Sequence, residues 1–157
     1  MNAALRLFRR ISASLLPPRP AKPTAAFRVV NISRNTELAS NAELADTSAK
    51  RSKGLLGRSG LVPGEGLWIV PCESIHTFGM QFAIDVVYLD RQRRIRKIRR
   101  NIPPWRISVC FTAHSVLELS GGAIQEEDAQ PGDTIEFHAV SFEEANVLRV
   151  EDKREQA

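Results

Sequence analysis

Five apolar runs rich in β-branched residues, none longer than nine residues and separated by glycine-, proline- or charge-rich turns, constrain this chain more than any other feature. They read FRVVNI (27–32), GLWIV (66–70), FAIDVVYLD (82–90), SVLEL (115–119) and TIEFHAV (134–140). Runs of this length and composition suit short strands better than helices. FAIDVVYLD is apolar on both faces, which predicts a strand in the middle of a sheet. IRKIRR (95–100) is its hairpin partner across the turn DRQR. ELASNAELADT (37–47) continues the β pattern more weakly, and Thr47 or Ser48 can cap a short helix through AKRSKGLLGR. NIPPW is a loop, because paired prolines remove donors, and GGAIQEEDA has room for one or two helical turns. The expected fold is mainly β (α+β): a compact, mostly antiparallel β-sheet or barrel-like domain with one or two short helices.

A chain of 157 residues, 43% apolar, can bury one core. No segment approaches the roughly 18 apolar residues of a membrane-spanning helix. The net charge of +4 is unevenly placed. Residues 1–24 hold five basic residues and no acid, and RQRRIRKIRR (91–100) holds seven more. What remains is clearly acidic. The organisation read from this is a basic, Pro-rich arm (1–26), disordered or targeting-like, a single domain (27–140) and a charged tail (141–157). The arm's arginines interrupt its apolar residues and leave too short a core for a cleaved export signal. Its composition therefore points to a cytoplasmic chain.

Asp85 stands inside an apolar strand, on the face of Ala83, Val87 and Leu89, where a lone carboxyl needs partners. His76, Thr77 and the guanidinium of Arg58 are the candidates. A buried network that fixes strand register is the preferred reading, and a pocket floor with His76 as its titrating group is the other. A pocket would be lined by Arg58, His76, Thr77, Met80, Asp85 and Trp105. Cys72, His76, Cys110 and His114 form two C-x3-H pairs that could hold zinc, although ordinary packing or a Cys72–Cys110 disulfide also accounts for the cysteines. Arg93, Arg94, Arg96 and Lys97 could meet nucleic-acid phosphates, with Trp105 nearby. Their alternative role is to guard an edge strand, in which case neutralising them costs solubility and not folding. No phosphate loop or dinucleotide fingerprint occurs, so no cofactor is expected.

GLLGR (54–58), HTFGM (76–80) followed by IDVV, NIPPW, VLEL before a glycine turn and PGDTIEF (131–137), taken together, resemble the DUF192 family, also called UPF0127. The resemblance runs from about Glu43 to Phe137. It departs from the family pattern at Ala83, where a proline is frequent, and at Asp90, Arg91, Gln92 and Arg93, where a D-x-x-G-like turn is frequent. It implies a compact β-rich domain without an established activity. Many relatives carry an export signal, so an exported or envelope-associated location is the alternative to a cytoplasmic one. The expected function is a non-enzymatic accessory domain that binds a small ligand or a protein partner. The alternatives are a metal-dependent or hydrolase-like enzyme using His76 and Asp85, with Cys72 as nucleophile or ligand, and a nucleic-acid-associated protein using residues 91–100.

Overall fold

The computed structural model describes residues 25–140; the tail and residues 1–24 of the arm inferred from the sequence lie outside them, and Ala26, the last arm residue, already belongs to the first strand. Nine strands form in chain order: β1 (Ala26–Asn31), β2 (Thr36–Ala45), β3 (Glu65–Ile69), β4 (Ser74–His76), β5 (Ile84–Leu89), β6 (Ile95–Ile102), β7 (Ile107–Val109), β8 (Ser115–Ser120) and β9 (Ile135–Val140). Seven of them make one sheet in the order β6-β5-β8-β3-β2-β1-β9, and β4 and β7 make a second, two-stranded sheet. The pairings are antiparallel except β2 with β3, which are parallel. A parallel pair needs a crossover. Here it contains helix α1 (Ser48–Lys53), capped by the Thr47 side chain on the Lys50 amide and ended at Gly54, which takes a φ of +49°. The helix therefore stops short of the LLGR that the sequence pattern included.

All six residues of β5 are buried, as its two-faced pattern predicted, but the strand lies second from the sheet end and not at its middle. Its even positions, Ile84, Val86 and Tyr88, join Val116 of β8, Leu67 and Ile69 of β3, and Leu55 beyond α1 in one core. Val87, Leu89, Leu117, Leu119, Val29 and Phe137 build a second core on the other face. The sheet curls around that second core. Its end strands meet where Arg94 bridges Thr134 and the Ile95 and Ile135 amides donate to Asp133 and Arg93 carbonyls. The contact is too short to close a barrel. The helical turns expected at 121–129 do not form. Gly122 and Ile124 give their N–H groups to Asp85, and Gln125 gives its own to Asp128, so side chains replace a helical ladder.

A cleft with a buried carboxyl at its floor

Cis-Pro71 ends β3, and β4 then runs beside α1 and leaves a cleft of about 400 Å³ between them. Leu55, Leu56, Ile69, Ile75 and Met80 supply its apolar lining. Arg51 and Lys53 stand on the helix side, and Cys72, Glu73 and His76 on the other. Glu118 forms the polar part of the floor. It lies on β8 between Leu67 of β3 and Val86 of β5, on the first-core face, and is only 4% exposed. No hydrogen bond or ion pair from the described residues reaches its carboxyl. Burial pushes its pKa up to about 7, against a partial opposing pull from the Arg58 guanidinium.

Burial also raises the Cys72 thiol, with Glu118 and Glu73 acting in the same direction, and this outweighs the opposing pull of the backbone hydrogen bond at Ser74 and of Arg51. A thiol held protonated is a poor nucleophile. Tyr88 beneath the cleft is pushed up to about 12 by burial. Its hydroxyl and that of neighbouring Ser108 are buried without a well-formed hydrogen bond.

The cleft mouth continues into an aromatic shelf. His76 stacks on Phe78 at 5.3 Å, and Phe78 tilts against Trp105 at 5.8 Å. Trp105 is 65% exposed and has a φ of +63°, a conformation that a bulky residue adopts only when its surroundings impose it. Thr77 imposes it. This fully buried residue accepts the Trp105 amide on its carbonyl at 3.0 Å, while its hydroxyl donates to Pro103 O at 2.8 Å and accepts from the Arg106 amide at 2.9 Å.

Residues 29–137 match the family model DUF192, described as "Uncharacterized ACR". A UPF0127 protein of Thermococcus gammatolerans is 33% identical over 76% of this chain and 80% of its own length. One from Pyrococcus abyssi is 31% identical over 69% of this chain and 96% of its own. The chain belongs to the DUF192 family. A solved chain from Sinorhizobium meliloti, named a candidate transcription regulator, superposes with a TM-score of 0.64 at 24% identity, covering 76% of this chain and 97% of that one. Another, from Novosphingobium aromaticivorans and of unknown function, gives 0.60 at 24% identity over 77% and 90%. These two likenesses extend to the fold.

Of the six pocket residues expected in this DUF192 chain, the structure places His76 and Met80 in the cleft, and Thr77 and Trp105 build its shelf. Asp85 and Arg58 stand elsewhere. Asp85 is fully buried on the opposite face of the sheet, and its oxygens accept backbone N–H groups of Asn101 at 2.6 Å, Gly122 at 3.0 Å and Ile124 at 2.8 Å. The partners expected for it, Arg58, His76 and Thr77, do not pair with it. Arg58 instead reaches Glu43 on β2 at 3.1 Å. Asp85 is thus buried and hydrogen-bonded, but to backbone amides of β6 and of the loop after β8 and not to the helix end or the HTFGM turn.

The zinc set does not assemble: among the described residues no three or more His, Cys, Asp or Glu are placed to hold a metal, and Cys72 and Cys110 are free thiols. Only His76 lies on a strand, and the other three stand in loops whose local contacts turn the thiols away. Cys72 turns to Ser74 O, Cys110 to the Thr112 hydroxyl, and His76 to Phe78. Part of the basic run is engaged within the fold, although six of its seven basic residues are exposed. Arg93 lies over the Trp68 and Phe137 rings at 5.7 and 5.5 Å, and Lys97 donates to Val109 O at 2.8 Å. Arg96 faces Asp90, and Arg94 bridges the sheet ends.

Sequence reading missed Glu118. The signal was present, since Glu118 interrupts SVLEL as Asp85 interrupts FAIDVVYLD. Which acid finds amide donors and which does not depends on the loops that reach each face.

Proposed function

We propose that this domain binds a small organic ligand in the Glu118 cleft, without catalysing a reaction on it. The observation that carries this reading is a buried carboxyl, open to a cleft lined by both apolar and charged side chains, to which the described residues give no hydrogen-bond partner. Such a group costs several kcal/mol in a purely structural role, and a ligand with an N–H or O–H head removes that cost. The apolar lining takes the rest of the ligand, and the shelf of His76, Phe78 and Trp105 flanks the entrance. The enzyme alternative finds no activated nucleophile here, because the environment of Cys72 opposes its ionisation. Nucleic-acid binding is disfavoured by the internal engagement of Arg93, Lys97 and Arg100. The test is an amide-shift titration with a panel of small alcohols, amides and amines. Shifts confined to the cleft and lost in Glu118→Gln support the reading. A panel without a Glu118-dependent binder overturns it.

A further inference from the structure

The charges around the cleft are segregated. The buried acid lies at the floor, on β8, and the helix side of the cleft presents Arg51 and Lys53, while Lys50 of the same helix stands outside the cleft and pairs with Asp46 at 3.5 Å. Lys53 lines the cleft with no hydrogen bond or ion pair to its ammonium from the described residues. Arg51 donates to the carbonyls of Asp46 and Val70, so no carboxylate neutralises it. Glu73, the other acid of the lining, is exposed and hydrated, as Lys53 also is, whereas Glu118 is buried. A ligand bearing only a positive head would satisfy the floor but leave the helix side unmatched. One bearing only a negative group would meet the helix side and be repelled by Glu118.

Resting on the ligand-binding reading above, we infer that the cleft takes a zwitterion, with an ammonium head on Glu118, an apolar stem along Leu56, Ile69 and Met80, and a carboxylate toward Lys53 and Arg51. The deep contact is the stronger of the two, because it is made out of water. The contact at the helix is solvated and contributes a smaller factor.

The experiment is calorimetric and NMR titration of the full chain at pH 8, where Glu118 is ionised, with n-hexylamine, hexanoate and the ω-amino acids 4-aminobutanoate, 6-aminohexanoate and 8-aminooctanoate. The expected result is binding of hexylamine, no binding of hexanoate, and at least one ω-amino acid binding about threefold or more tightly than hexylamine. Lys53→Met should remove that gain and leave hexylamine unchanged, and Glu118→Gln should abolish both. Hexylamine binding as tightly as every ω-amino acid, or a gain that survives Lys53→Met, overturns the zwitterion while leaving the ligand-binding reading in place. If neither amine nor zwitterion binds in the cleft while another class in the wider panel does so through Glu118, only the inference fails. If nothing binds through Glu118, both fail. Amide spectra of each variant, matched to wild type, establish that a loss is not unfolding.

Discussion

Two acids in this chain interrupt apolar strands, and they behave oppositely. Asp85 is satisfied by three amides, so Asp85→Ala should strip the acceptors from the segments at Asn101 and at Gly122 and Ile124 and cost about 2–4 kcal/mol in urea unfolding. Because Arg58 pairs with Glu43, adding Arg58→Ala should be additive within about 0.5 kcal/mol; a larger coupling would contradict the separation described above. Glu118 is the reverse case. Its folded pKa, about 7, lies above the usual 4.5, so the folded state holds the proton more tightly. That contribution to stability is complete below about pH 4.5 and is lost as the pH rises through 7. The unfolding free energy from denaturant melts should fall over that window by an amount on the order of 3 kcal/mol. Glu118→Gln should flatten the profile and be the more stable protein at pH 8, and an unchanged slope in the variant would assign the pH dependence elsewhere.

At the scale of elements, Thr77 joins the β4 turn to the loop before β7. Thr77→Val keeps the volume but leaves the Pro103 carbonyl and Arg106 amide without the hydroxyl, which should cost about 1–3 kcal/mol. It should also speed hydrogen exchange at Trp105 and Arg106 more than in β8. β6 is an end strand of the sheet, as the edge-guarding reading supposed, yet its cations do more than repel other edges. Arg93→Gln and Lys97→Gln should each lower stability by about 0.5–1 kcal/mol, because each loses a contact over an aromatic ring. Neutralising the run is therefore expected to weaken folding as well as solubility, contrary to the expectation from sequence. Arg99→Gln, as a surface control, should stay within about 0.5 kcal/mol.

For the whole molecule, the two cores share one sheet but face different surroundings. The second core lies inside the curl that Arg94 and Thr134 draw together, and the first is covered by Leu55 and Leu61 beyond α1, Ile75 of β4 and Met80. Clefts form on the first side because a six-residue helix and a two-stranded sheet cover less area than a curled sheet does. We further propose that residues 27–140 form the folding unit: deleting 1–24 should leave the thermal midpoint within about two degrees, since β1 is already paired on both edges by β2 and β9. A larger drop would show that those residues contribute to the fold. Among the described residues no helix is long and apolar enough to cross a membrane.

Strands with local patterns were legible in the sequence: short apolar runs bounded by turn chemistry marked β1, β3, β5, β6, β8 and β9, and Thr47 or Ser48 marked the start of α1. The sequence also required Asp85 to be partnered, because the cost of an unmatched buried carboxyl does not depend on topology. It did not resolve β4 and β7. Three residues each are too few for a period, and these strands exist because they pair with one another across about thirty residues of chain. Nor could it separate Asp85 from Glu118, which look alike as acids within apolar runs. The tertiary arrangement alone sets one β5 face against the amides of β6 and of the loop after β8, and opens one β8 face to a cleft. Hydrogen-bond donors and open space around a strand come from segments distant in sequence, and one chain's residue order does not record which of them arrive.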